Sequence, residues 1–314
     1  GLGNFTLSPK IGFDFEQKIF NSNLVIDGNE KLNADYKNEI DWKYNRIFAN
    51  LGIQFRYKNW RAGIDLPLNY RLYDVRKNNP NEKDISFNKL NLEPSLYLIK
   101  DVNKFWQISA SKKKKKNYGN LNQIPNGYIL RNYNTLVSNN STFPKILSRN
   151  ASVGFKYRNP LIATFANASY TYSRNTTNIT QSATIDATTN TENSFIERKN
   201  SSDLNAVNAN ISKYFRYIKT KISLNTSYTS EDSQLFINNQ FSKTKTINKS
   251  FSLILDYRLN DNVFIVYQTN LSDYENNLDT NISFKNTQLN NEISLNWQFL
   301  EKHYLQFNTL QTSN

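Results

Sequence analysis

The strongest constraint on this chain is a two-residue hydrophobic period in the segment WRAGIDLPLNYRLYDVRK, residues 60–77. Apolar residues occupy every second position from Trp60 to Leu72, and the positions between them are mostly polar. Successive side chains of a strand point to opposite faces, so the pattern predicts one long strand with an apolar and a polar face. The chain is only 38% hydrophobic, with a mean hydropathy of −0.68. Little apolar material is therefore left for a core that such a face could cover.

The same alternation recurs along the chain, whereas helical patterning is almost absent. Further apolar stripes run through residues 47–57, 151–157, 222–228, 251–257 and 293–299. Short turns between them alternate with longer links rich in Asn, Thr, Ser and Lys, at about 77–87, 113–148, 175–202, 229–243 and 272–284. Counting the segments between links gives about thirteen strands in an up-and-down order, with short periplasmic turns and longer outer loops.

Strand length separates a membrane sheet from a soluble one. Residues 60–72 span about 40 Å at roughly 3.3 Å per residue, and a tilt of about 40° leaves a rise of roughly 30 Å, close to the apolar thickness of a bilayer. Soluble strands average about 5–6 residues. The sequence therefore predicts an all-β, antiparallel up-and-down transmembrane β-barrel in the outer membrane of a Gram-negative cell. A soluble β-sandwich, propeller or solenoid is the alternative.

The alternation assigns side chains to the two faces of this barrel. One set is predicted to face lipid: Ile64, Leu66, Ile222, Leu253 and Leu295. A second set, on the opposite parity, is predicted to face a polar interior: Asp65, Asn69, Ser223, Ser252 and Asn296. A water-lined interior explains why a folded chain has so little apolar material.

Aromatic residues cluster beside the short turns. Six of them are predicted to form a girdle at the headgroup boundary, where amphipathic rings are favoured: Tyr57, Trp60, Trp106, Tyr157, Tyr257 and Phe299. The alternative is that Tyr and Trp are simply good strand residues.

A run of lysines at residues 112–116 follows a predicted strand. Lys112, Lys114 and Lys116 continue its apolar parity. The first interpretation of the run is a solvated loop stem, and the alternative is that these three lysines contact lipid phosphates where the apolar band ends. The net charge of +13 suits an anionic partner. Nucleic acid is not expected, because no basic helix or aromatic-interleaved groove accompanies the run.

The sequence offers little for catalysis. The one histidine, His303, falls in a short turn, where a solvated side chain is expected, and the chain contains no cysteine. No His, Cys and carboxylate spacing resembles a metal site, and no Gly-rich phosphate loop occurs. We therefore expect neither an enzyme nor a bound cofactor or metal.

Three stretches carry a resemblance to a known family: LSPKIGFDFEQKIFNSNL (7–24), NYGNLNQIPNGYILRNYNTL (117–136) and FKYRNPLIATFANASYTYSRNTTN (155–178). They resemble the barrel of TonB-dependent receptors, in the outer-membrane β-barrel family that often follows a carboxypeptidase-regulatory-like domain. The resemblance implies a plugged barrel of about twenty-two strands, uptake of a bulky nutrient driven by the TonB system, and in several members a surface lipoprotein lid.

The chain departs from that family in two respects. No plug domain or TonB box is visible in it, and an odd strand number is unusual for a single-chain barrel. We therefore expect residues 1–314 to be part of a larger barrel, with a complete barrel of about twelve to fourteen strands as the second possibility. The alternative functions are a small passive porin-like channel and a structural or adhesive subunit of an envelope complex.

Overall fold

The computed structural model of the chain describes residues 4–23, 25–26, 29–30, 37–77, 84–119, 126–132, 135–139, 142–185, 191–279, 282–300 and 303–313. These residues form strands, turns and bends, and no helix among them is long and apolar enough to cross a membrane. Parts of the predicted links and turns lie outside the described residues, at 78–83, 120–125, 133–134, 140–141, 186–190, 280–281 and 301–302.

Long antiparallel strands, each paired with at least one neighbour, form a wall. They are β1 (Phe5–Ser22), β4 (Asn38–Tyr57), β5 (Trp60–Lys77), β6 (Ile85–Leu92), β7 (Ser95–Asp101), β8 (Trp106–Tyr118), β11 (Lys145–Asn159), β12 (Thr164–Thr177), β15 (Asn200–Phe215), β16 (Thr220–Ile237), β17 (Gln240–Arg258), β18 (Val263–Leu278), β19 (Ile282–Leu300) and β20 (His303–Ser313). Because β6 and β7 both pair with β5 in one register, they are halves of one crossing. The described residues therefore make thirteen crossings, as predicted.

Short strands in two links extend the sheet at one end of the wall. They are β9 (Asn126–Asn132), β10 (Thr135–Asn139), β13 (Thr180–Ile185) and β14 (Thr191–Ile196), and a separate small hairpin joins β2 (Val25–Ile26) to β3 (Asn29–Glu30). The strands β9, β10, β14 and β13 pair in that order, and β13 contacts the end of β16. We call these four strands, with residues 142–144, the cap. The wall end that carries it is the long-loop end.

The prediction of an all-β, antiparallel up-and-down transmembrane fold is confirmed by this architecture. Within the described ranges, β1 pairs in register only with β4, and β20 only with β19. Unpaired backbone groups are costly in hydrocarbon, so both edges need a strand partner in a membrane. Membership in a larger barrel stays a prediction.

Several strands are longer than the sequence predicted. The link expected at 229–243 is the end of a hairpin, since β16 and β17 pair up to the contact of Ile237 with Gln240. Asn238 and Asn239 form its two-residue turn with φ of 46° and 64°, a conformation that Asn tolerates. The link at 272–284 is also mostly strand. Polar composition marked the end of the apolar band rather than the end of each strand.

Two prolines explain the break between β6 and β7. Glu93 donates its backbone N–H to the carbonyl of Pro67, and Lys114 donates to the carbonyl of Pro94, with both distances 3.0 Å. Neither proline has an N–H with which to complete the pair. The ladder thus loses donors on both sides of Glu93, and β6 separates from β8 beyond this point.

Candidate functional site

The register places the predicted side chains on two faces. When the register is followed from strand to strand, five of the predicted residues share one face, which we call the outer face: Ile64, Leu66, Ile222, Leu253 and Leu295. Asp65, Asn69, Ser223, Ser252 and Asn296 share the other, which we call the inner face. Asn69, Ser223 and Asn296 are buried. That lipid covers the outer face stays a prediction for each residue.

The outer face leaves many large apolar side chains exposed. On β1 alone, Leu7 is 54%, Ile11 85% and Phe13 61% exposed, and similar residues follow on every wall strand. Soluble monomers rarely expose more than a few hundred Å² of contiguous apolar surface. Long antiparallel strands with this exterior are the architecture of an outer-membrane β-barrel wall, and the location that follows from it is the outer membrane.

The six predicted girdle residues all lie at the short-turn end of the wall. Tyr57 is paired with Trp60 across one turn, and the rings of Trp106 and Tyr157 are 4.7 Å apart across another. Tyr257 and Phe299 lie near the ends of β17 and β19. Their contact with headgroups stays a prediction.

At the long-loop end of β4 and β5, the apolar parity changes face. In β4, the apolar residues after Arg46 lie on the outer face except for Phe48, but Ile40, Trp42 and Tyr44 lie on the inner face with Tyr73 and Val75 of β5. The pairing of β4 with β5 continues without a register shift. The apolar side chains therefore change face although the backbone stays regular. Above the lipid, the outer face meets water, and apolar side chains must pack inward.

These inward residues form a core, which we call the mouth cluster: Ile40, Trp42, Tyr73, Val75 and Phe143, with Phe20, Tyr44, Ile85, Phe87 and Tyr118 packed against it. Phe143 comes from the cap and is 6% exposed. Its ring lies 4.8 Å from that of Phe87 and 5.4 Å from that of Tyr73, measured between centroids. The part of the cap that leads into β11 is therefore packed against the inner face of the wall through an aromatic side chain.

A charged network lies next to the mouth cluster, on its side toward the short-turn end. Arg71 donates to Glu93 Oε1 at 2.7 Å, and Asn69 donates to Oε2 at 3.2 Å. The backbone N–H of Lys116 also donates to Oε1 at 3.1 Å. The Arg71 and Glu93 side chains are only 5% and 8% exposed, so this pair depends on its mutual charge and hydrogen bonds.

The same carboxylate bridges an opening in the wall, which we call the seam. Beyond Glu93, no described strand pairs with the β8-side edge of β6. Because the odd residues of β6 bond to β5, the amides of Asn88, Leu90 and Leu92 point into the seam. Tyr118 of β8 reaches across, and its hydroxyl donates to Asn91 at 3.1 Å. Side chains thus replace the backbone ladder where the prolines removed it.

The inner face at the short-turn end is polar and basic. A cavity of about 850 Å³ is lined there by Arg56, Arg61 and Lys58, among others. Arg61 pairs with Asp101 at 3.2 Å, with both side chains partly exposed. Further toward β20, the inner face carries mainly Ser, Asn and Thr, as at Ser223 and Asn296. Within the described ranges, no group of three or more His, Cys, Asp or Glu side chains could hold a metal.

Comparison with known proteins adds little. No protein-family model matches the chain, and no curated protein matches it. Among solved structures, the translocator domain of the autotransporter NalP from Neisseria meningitidis aligns with 98% of this chain and 82% of its own, at 8% identity and a TM-score of 0.24. Values this low say nothing about function. The finer membership in the TonB-dependent receptors stays a prediction from the resemblance.

Sequence reasoning missed the mouth cluster and the carboxylate at the seam. The signal for the first was present, because Ile40, Trp42 and Tyr44 are apolar on the parity opposite to the stripe that follows them. The partners of Phe143 were not foreseeable, since it lies in a polar link far along the chain. Glu93 could have been noticed as an acid beside Pro94 in an otherwise regular stripe.

Proposed function

We propose that the chain forms the wall of an outer-membrane transport barrel whose outer mouth is closed by its own cap. The observation that carries this proposal is the change of apolar parity at the long-loop end. A polar inner face suits the passage of hydrophilic solutes through the membrane-spanning part. The aromatic core above it gives the cap a specific place to dock, which an open pore does not need.

The mouth offers both kinds of contact that a bulky ligand requires. Rings such as Tyr44 and Tyr73 provide flat apolar surface, and Arg71 with Glu93 provides a fixed charged pair beneath them. Such a combination of aromatic walls and a few polar groups is typical of ligand sites. In this proposal, the ligand binds at the mouth when the cap is displaced.

Energised uptake is the finer form of the proposal. Removing one buried Phe side chain from its core costs about 3–5 kcal/mol, so undocking Phe143 by thermal motion is rare. A closed mouth therefore suits transport driven by the TonB system, as the family resemblance implies. A passive porin-like channel and a structural subunit would each differ in permeability from an energised transporter. The following test distinguishes these alternatives.

The test is conductance of the purified full-length protein in a planar bilayer. We expect the wild type to be electrically quiet and Phe143→Asp to open conducting events, because a carboxylate cannot dock among the rings. Leu161→Asp makes the same chemical change at a short-turn residue that is 82% exposed, and we expect it to leave the barrel quiet. Nutrient uptake by cells with and without TonB tests the finer form.

Steady large conductance from the wild type, with uptake unaffected by loss of TonB, would favour the porin-like channel and remove both forms of the proposal. A quiet Phe143→Asp variant that folds normally would remove the gating role of the cap and favour a structural subunit.

A further inference from the structure

Three cations stand side by side on the outer face. Lys114 of β8 is directly paired with Arg149 of β11, and Arg149 is directly paired with Arg174 of β12. All three side chains are exposed. We call them the cation row. Like charges directly opposite each other in a sheet are destabilising, so this arrangement calls for an anion.

The described residues neutralise only part of this positive charge. Arg174 is 3.6 Å from Asp203 of β15, which is its direct partner in the next strand. Lys114 lies three strands from Asp203, or about 14 Å at the usual strand spacing. Within the described residues, no ion pair includes Lys114 or Arg149. Two further outward lysines, Lys112 and Lys116, extend the charge along β8.

An apolar trough runs across the same outer face below the cation row. Small residues on three neighbouring strands, Ala168, Ala209 and Thr226, are paired in one line between Phe155 and Phe251. The resulting hollow has a volume of about 500 Å³. It begins six residues along β12 from Arg174, or about 20 Å at 3.3 Å per residue. That distance is close to the length of an extended acyl chain.

We propose that this surface binds a phosphate-bearing lipid of the outer leaflet. The phosphate lies on the cation row, where Arg149 and Arg174 can each offer paired N–H donors, and an acyl chain extends into the trough between Phe155 and Phe251. The apolar side chains between the two, including Val153 and Tyr170, are 40% and 45% exposed and suit the upper part of the chain. The proposal extends the alternative interpretation of Lys112, Lys114 and Lys116, contact with lipid phosphates, to a defined site.

The proposal rests on the membrane placement of the proposed function but not on transport. Lipid retention and conductance are therefore measured separately, and either can fail alone. The experiment is native mass spectrometry of the full-length protein released from nanodiscs that hold a phosphorylated lipid A and its dephosphorylated form in equal amounts. We expect at least a ten-fold preference for the phosphorylated lipid in the wild type.

The decisive variant is Lys114→Gln/Arg149→Gln/Arg174→Gln, and we expect it to lose this preference. Its matched control is Lys113→Gln/Lys115→Gln/Lys156→Gln, which removes three cations from the inner face of β8 and β11. We expect the control to retain the preference. Ala168→Phe fills the trough without changing charge, and we expect it to lower the retention of both lipids several-fold.

Three results would overturn the site. The first is an equal loss in the inner-face control, and the second is an unchanged preference in the cation-row variant. The third is displacement of the lipid by millimolar inorganic phosphate, which would show an anion site without a lipid. If the triple variant does not fold, Arg149→Gln alone and Ala168→Phe decide the question.

Discussion

At the scale of single residues, adjacent side chains on one strand meet opposite environments. Leu253 and Ser252 are neighbours on β17; Leu253 is paired with Leu224 on the outer face, and Ser252 with Asn225 on the inner face. One peptide unit therefore separates an apolar contact surface from a polar one. Such pairs test the assignment of faces better than residues from different strands, because strand, depth and neighbours are shared.

Arginine introduced at these two positions should have unequal effects. We expect Leu253→Arg to cost about 2–4 kcal/mol, the usual penalty for a lipid-facing arginine near the bilayer midplane, and Ser252→Arg to cost little. The measurement is the free energy of unfolding in lipid vesicles by denaturant titration. Asn69 is a poor choice for the inner-face variant, because it is buried and bonded to Glu93. Equal losses at positions 252 and 253 would argue against the assignment.

At the scale of strands, regular alternation predicted more than local composition did. The apolar stripe of β5 predicted its length and faces correctly, because a period of two is dictated by the backbone. The ends of β16 and β17 were predicted wrongly, since polar residues continue a hairpin outside lipid as well as they form a loop. The interruption at Glu93 depends on Pro67 and Pro94 meeting across two strands, which one strand's sequence does not reveal.

The seam gives Glu93 a structural role that a variant can measure. We expect Glu93→Ala to lower the free energy of unfolding by about 3–5 kcal/mol, because Arg71 is left buried without its partner. The double variant Glu93→Met/Arg71→Met should recover part of that loss. Asp101→Asn, which breaks the partly exposed pair with Arg61, should cost about 0–1 kcal/mol. Thermal and urea unfolding in vesicles provide the measurement, and a loss at Glu93 no larger than that at Asp101 would contradict the bridging role.

At the scale of the whole molecule, the sequence was sufficient to predict the wall but not the cap at its mouth. Thirteen crossings and the two faces follow from repeated local patterns. The cap does not, because β10 pairs with β14 across more than fifty residues, and Phe143 finds its place only when β4, β5 and β6 are assembled. Long-range packing of polar links has no periodic signal, and it is also where the proposed site lies.

The last prediction concerns the orientation of the wall in the membrane. The short turns predicted from the sequence lie at one end, and the cap and the turn at Asn238 and Asn239 lie at the other, so the whole sheet must be inserted in a single sense. We expect the cap to face the outside, since long loops of such barrels are extracellular. Cysteine placed at Asn239, in the turn at the long-loop end, should react with an impermeant thiol reagent on intact cells. Cysteine at Lys58, in a short turn, should react only after the membrane is permeabilised. The chain contains no cysteine, so labelling is unambiguous. Reaction at Lys58 on intact cells, with Asn239 protected, would invert the orientation and place the mouth cluster in the periplasm.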